Sequence, residues 1–190
     1  YSDFILDTLH SHAGVLSYTE PTNPLDEIAL ASRTIKTGPG GIKGRNSFTK
    51  GHRNIHPSHI GTMGACSTSE SGNSGLDVAH TMNPAILNEW GSYGRKSVDS
   101  LGSWDNLAMN EAVIPFGNAI DSDRMIMGTT HAKQVTGTNG NEPPLVGTGA
   151  EYIVPQLSSR RFIQKAKKDG VVSSILPGKY ITVKYKDGSA

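Results

Sequence analysis

The sequence predicts a β-rich α+β fold, and three observations carry that prediction. From Glu151 onward, short runs rich in β-branched and aromatic residues alternate with turn signals; the first part of the chain holds two short segments with helical spacing; and 22 of 190 residues are glycine. Average glycine usage is about 7%, so this chain is built with many turns and few long helices.

Asp3–His12 places apolar residues at helical spacing and predicts a short helix. The next start is better marked. Asn23 is suited to cap, Pro24 fits the first helical position, and Asp26 and Glu27 lie where a helix dipole favours negative charge, giving a helix to about Arg33. Residues 37–54 carry five glycines and a proline and read as one long loop, a length that in a compact domain is functional or disordered. Ser67–Gly75 reads as a second irregular segment. Signals are weak from Leu76 to Asp121. Asp121 then opens a possible helix that Gly128 and the paired Thr129 and Thr130 are expected to end early. The segments EYIVPQL, RRFIQKAK, GVVSSIL and KYITVKYK, with turns at Lys168–Gly170, Pro177–Gly178 and Asp187–Gly188, predict an antiparallel meander.

Composition narrows the function. No run reaches the roughly 18 apolar residues of a membrane span, and Tyr1–Gly14 has acidic residues where a signal peptide has basic ones. A single cysteine, Cys66, excludes an intrachain disulfide framework and a zinc site built from several cysteines. The formal net charge of +1 hides a segregation of signs. Between Ile28 and Ser69 there is no acidic residue, while Arg33, Lys36, Lys43, Arg45, Lys50 and Arg53 contribute six positive charges. Such a segment is either a footprint for phosphates or a solvated surface.

Individual motifs are less specific. His52, His56 and His59 have no second ligand pair and are interrupted by Pro57, so no metal site is assigned. Cys66 has no partner motif of a catalytic thiol. Gly38–Gly41 is not a Walker loop, because no Gly-Lys-Ser/Thr follows it. Arg124, close to Asp121 and Asp123, suits a phosphate contact or a local ion pair, and the residues alone favour the ion pair.

Four separated segments, in order, match a known pattern. Leu16–Gly41 (LSYTEPTNPLDEIALASRTIKTGPGG) resembles the fork region of the β subunit of multisubunit DNA-directed RNA polymerases, with Asn-Pro-Leu-x-Glu-Ile followed by an arginine and Gly-Pro-Gly-Gly. His56–Leu76 is similar to the His-Pro-x-His-x-Gly segment that follows. Ile114–Gln134 resembles an Ile-Pro-Phe block ending in Asp-x-x-Arg-x-x-Met-Gly, and Pro144–Glu151 the Pro-Leu-Val-Gly-Thr-Gly-x-Glu motif. KKDGVV is similar to the turn after it. The departures are a lone Arg33 for paired arginines, Ser67-Thr-Ser-Glu-Ser for Glu-Thr-Pro-Glu-Gly, and Thr130 for an asparagine. Glu20, Leu30 and Ile35 replace the polar rifamycin partners of bacterial members, which implies weak drug binding.

The resemblance implies roles. Arg124 corresponds to the arginine on the triphosphate of the incoming nucleotide, with Asp121 and Asp123 positioning it, and Gln134, beside Lys133, to the glutamine near the RNA 3′ end. Lys43, Arg45, Lys50 and Arg53 are placed near DNA phosphates, and Arg33, Glu70 and Asn73 along the RNA–DNA hybrid. The implied organisation is a fork and hybrid wall over residues 1–88 with a fork loop at 37–54, a connecting segment over 89–120, and part of a double-psi β-barrel with the C-terminal strands over 121–190. The chain is not expected to be an autonomous domain. Divergence of this kind resembles the split β-like subunits of giant bacteriophages. It implies work in the cytoplasm of a bacterial host, with packaging in the virion as an option. The implied partners are the β′-like and remaining β-like subunits, DNA template, RNA transcript and NTPs, without a membrane. Two Mg2+ ions are implied to be held mainly by the β′-like partner.

Overall fold

Asn23 starts helix α2 (Pro24–Ala31) through its extended backbone and its Oδ1, which accepts from Leu25 N–H at 2.8 Å. Its Nδ2 donates to the Ala132 carbonyl at 2.7 Å, tying the start of α2 to the end of a helix more than a hundred residues later. The computed structural model describes residues 2–11, 18–20, 22–38, 40–137 and 142–187. His12, Leu16, Ser17, Pro39 and Gly188, used in the sequence reading, lie outside them, as does the side chain of Arg45.

Two units are distinguished, Tyr1–Leu157 and Ser158–Ala190. The first contains α1 (Ser2–Ser11), α2, β1 (Arg33–Ile35), α3 (Lys50–Arg53), β2 (Met63–Thr68), β3 (Asp77–His80), α4 (Met109–Ala112), α5 (Ser122–Gln134) and α6 (Val154–Leu157). Its sheet has the order β1-β3-β2 with both pairings antiparallel; Arg33 lies opposite Ala79, and the β2–β3 register shifts between Met63 and Thr68. Leu25 and Ala29 of α2, Met109 and Ala112 of α4, Met125 of α5, and Leu76 and Ala79 around β3 form the buried apolar layer. Alanine is frequent there, which lets short elements approach closely. The second unit holds one hairpin, β4 (Gly170–Leu176) with β5 (Tyr180–Tyr185), closed by a turn in which Lys179 N–H donates to the Leu176 carbonyl.

The α+β class holds, with short helices and small antiparallel sheets; among the described residues neither sheet closes into a barrel. Three local expectations are corrected. The four-strand meander is a single hairpin: EYIVPQL is a 3-10 turn (Ala150–Tyr152) followed by α6, and RRFIQKAK forms no strand. The cause at EYIVPQL is Glu151, whose carboxylate accepts from Thr148 N–H at 2.9 Å and Gly149 N–H at 2.7 Å and closes a helical turn. Helix α5 runs thirteen residues through Gly128. There Thr129 and Thr130 hydroxyls donate to the Ile126 carbonyl at 2.7 and 3.1 Å, so they bond within the helix rather than end it. The segments at 37–54 and Ser67–Gly75 are also more regular than expected. The first contains a 3-10 turn (Arg45–Ser47) and α3, and the second continues β2 to Thr68 before a 3-10 turn over Ser71–Asn73.

Candidate nucleic-acid interface

Arg33 sits on β1 and reaches Asp77 on β3. Its Nε donates to Asp77 Oδ1 at 2.7 Å, and Nη2 forms an ion pair with Oδ2. Ser69 Oγ donates to the same Oδ2 at 2.8 Å. Asp77 is buried, whereas the Arg33 side chain is 42% exposed. The bidentate bond to Asp77 outweighs partial burial and holds the guanidinium pKa above its ordinary value, with the charge of Asp26 adding to it.

A groove of about 580 Å³ opens beside this pair, lined by Arg33, Ile35, Lys43, Phe48, Asn73 and Asp77 among others. Asp77 neutralises Arg33 there, so the exposed Lys43 supplies the remaining positive charge, with Phe48 as an aromatic wall and Asn73 as a two-way hydrogen-bonding group. Arg33 also lines a smaller cavity of about 160 Å³ with Asp26, Asp77 and Lys133. The groove therefore offers a cation, an amide and an aromatic ring along one face, a set that suits a phosphodiester chain with unstacked bases.

The remaining basic residues divide by how they are held. Arg53 Nη1 donates to the Ser74 carbonyl at 2.9 Å and its guanidinium lies 5.9 Å from the centre of the Phe48 ring. Gly75 makes this contact possible: with φ at +73° it takes a conformation glycine tolerates, and a Cβ there would collide with the Arg53 carbonyl. Lys36 Nζ donates to the His52 carbonyl at 2.9 Å. Lys50 is exposed at the start of α3, and Glu70 is exposed just before the turn that carries Asn73.

Helix α5 displays the other predicted residues. Arg124 and Gln134 are exposed, and at 100° per residue they fall within about 80° of each other on the helix circumference, roughly 15 Å apart along its axis. Met125 and Thr129 face the interior. Arg124 Nη1 approaches Met127 Sδ at 3.5 Å, and among the described residues no ion pair joins it to Asp121 or Asp123, both exposed. Asp121 occupies the N-cap position without a side-chain capping bond. Arg124 lines neither of the two cavities beside Arg33. The structure thus brings Arg33, Lys43 and Asn73 to one groove and Arg33 and Lys133 to a second, with Arg124 and Gln134 on a separate helix face.

Asp77 and Glu111 were not singled out from the sequence. Glu111 on α4 is 2% exposed and fastens β2: its carboxylate accepts from Cys66 N–H at 2.5 Å and Ala108 N–H at 2.6 Å. Burial raises its pKa, and the backbone donors of Ala108, Cys66 and Ser67 oppose that rise. Asn110 Oδ1 accepts from Ser67 Oγ at 2.8 Å beside it. Asp77 had a legible signal, a lone acid in an apolar run; Glu111 lies where the sequence carries no periodic signal.

No family model matches the chain. Curated relatives do. The chain is 30% identical to the DNA-directed RNA polymerase subunit beta of Nandina domestica over 92% of its length, and 24% identical to that of Anaplasma marginale (strain Florida) over 97%. Against that of Myxococcus xanthus (strain DK1622) it is 24% identical over 86%. It spans only 15 to 17% of the length of these relatives. Over most of its length, then, the chain is similar to one stretch of the β subunit of DNA-directed RNA polymerase.

Proposed function

We propose that this chain is a section of a β-like subunit of a multisubunit DNA-directed RNA polymerase, a nucleotidyltransferase active only as an assembly. In this reading it lines the RNA–DNA hybrid and downstream DNA fork and positions the incoming NTP. The observation that carries the reading is that Arg33, Lys43 and Asn73, spread over forty positions in the sequence, line one groove. Their clustering supports a surface that follows a nucleic-acid backbone, Lys43 facing phosphate and Phe48 adding an apolar wall.

The reaction so assigned is phosphodiester formation, in which the RNA 3′-hydroxyl attacks the α-phosphate and pyrophosphate leaves. Arg124, exposed on α5, would present two parallel N–H donors to the triphosphate, and Gln134 on the same face would lie toward the RNA 3′ end. Among the described residues no three His, Cys, Asp or Glu side chains converge as a metal-holding group. The two Mg2+ ions of the reaction are assigned to the β′-like partner, and no step of this chain is routed through them.

An assembly, rather than a free-standing nucleic-acid-binding module, is favoured by the surface. Tyr18, Trp90, Leu145, Tyr152 and Val171 are each at least 74% exposed, in segments far apart in sequence. Contacts in an assembly would take these side chains out of water, whereas a free-standing module would leave each of them exposed. The divergence supports a split subunit of the giant-bacteriophage kind working in a bacterial host. Co-purification tests this: the tagged chain should bring down a β′-like subunit and the remaining β-like parts with template-dependent RNA synthesis. A chain that stays soluble and monomeric, and binds DNA alone with a steep salt dependence, contradicts the subunit reading.

A further inference from the structure

A further cavity of about 640 Å³ shares no lining residue with the Lys43 groove. Met63 and Cys66 of β2, Val78 of β3 and Ile126 of α5 contribute to its lining, together with Ile55 and Ile60, which are 66% and 44% exposed. Lys36, Arg53 and His59 line it too, and among the described lining residues there is no Asp or Glu. Both cations are tethered to backbone carbonyls, Lys36 at His52 and Arg53 at Ser74. They are held at the cavity rather than free to reach along an external phosphate chain. His59 is not a third cation: its pKa is lowered by burial first and then by the charges of Lys36 and His56, which favours the neutral imidazole, a hydrogen-bonding group at the cavity. Half-buried cations beside exposed isoleucines, with no acid in the lining, suit a peptide that brings apolar side chains and carboxylates together.

We propose that this cavity docks an acidic segment of a partner polypeptide, inserting an apolar side chain among Ile60, Met63, Val78 and Ile126 while its carboxylates face Lys36 and Arg53. Charge complementarity with Lys36 and Arg53 selects that occupant over a basic or neutral one, and the apolar share of the lining selects peptide over nucleic acid. The proposal stands on this cavity alone and is independent of the roles given to Arg33, Lys43 and Arg124.

Cys66 is the only cysteine of the chain and lines the cavity, so its alkylation rate reports occupancy. The full chain is treated with iodoacetamide alone and with a twelve-residue probe peptide in which Asp and Glu flank two Leu and one Phe. At about ten times its Kd, the probe should slow alkylation about tenfold. A peptide of equal charge with Ser in place of Leu and Phe should not. His59→Glu, which adds an acid beside Lys36 and Arg53, and Ile60→Ser, at an exposed position, should each raise the Kd of the probe about tenfold, cutting protection from about tenfold to about twofold with the circular dichroism unchanged. The proposal is overturned if the serine peptide protects equally, if single-stranded DNA of the same charge protects in its place, or if the probe does not protect. Burial and the charge of Glu111 push the Cys66 thiol pKa up, so alkylation is followed at alkaline pH. The proposal is overturned as well if Cys66 is unreactive there in the chain alone, or if protection without peptide grows with chain concentration, meaning a second copy fills the cavity.

Discussion

Arg33 and Asp77 close a bidentate pair across the β1–β3 ladder, with Asp77 buried, the Arg33 side chain half in solvent, and Ser69 bonded to the same carboxylate. The two partners differ in what they lose when parted. A half-exposed guanidinium regains water, whereas a buried carboxylate does not. Arg33→Ala, which leaves Asp77 alone, should therefore destabilise more than Asp77→Ala. Expected losses are about 2–3 kcal/mol and about 1–2 kcal/mol respectively, read from urea midpoints at constant m. Equal or reversed losses would contradict this account of the pair.

Gly75 is the backbone hinge of the neighbouring wall. Gly75→Ala combines a positive φ with a collision against the Arg53 carbonyl, so it should cost about 2–3 kcal/mol and lower the Tm by several degrees. Gly72→Ala, where a Cβ meets nothing within 4 Å, should stay within about 0.5 kcal/mol of the wild type. A tolerated Gly75→Ala would show that the wall at Arg53 yields.

Glu111 gives the fold a pH signature. Burial holds its folded pKa above the ordinary 4.5, so the neutral form is the one folding favours. Stability from this group is fully present below pH 4.5 and is lost as pH rises through the folded value. In Glu111→Gln this part of the decline disappears and the slope of the unfolding midpoint against pH flattens above 4.5. An unchanged slope would place the titration elsewhere.

Lys43 and Arg53 should separate by assay. Lys43 is exposed on the groove, and Lys43→Ala should weaken hybrid binding by the assembled enzyme and reduce the log–log salt slope by about one, leaving stability alone. Arg53 holds the Ser74 carbonyl and covers Phe48, so Arg53→Ala should lower stability by about 1 kcal/mol or more. Filter binding at several salt concentrations, together with thermal melts, checks both.

What the sequence made legible was local. Asn23, Pro24, Asp26 and Glu27 mark the start of α2 because capping depends on adjacent residues, and the β4–β5 hairpin is visible because β-branched runs flank Pro177–Gly178. What it concealed depends on distant partners. Gly128 looks like a helix breaker until Ile114 is seen beside it, where a Cβ would stand 3.1 Å from Ile114 Cδ1; glycine there admits close packing within a continuous helix. Residues 151–157 carry strand-forming residues, but two bonds from the Thr148 and Gly149 backbone to Glu151 set a helical turn. In the interface, the basic character of the fork segment was readable, yet the neutralisation of Arg33 by Asp77 and the fixing of β2 by Glu111 each join positions about forty-five apart.

The proposed role of Arg124 carries the central claim, and single-nucleotide addition by the reconstituted polymerase tests it most directly. Arg124 is exposed on α5 and makes no ion pair among the described residues, so Arg124→Ala should leave folding and subunit assembly intact. Removing a charge-assisted contact to the triphosphate should slow addition by about 10- to 100-fold and raise the apparent KM for NTP. An assembled complex that adds nucleotides at the wild-type rate and KM would contradict the assignment.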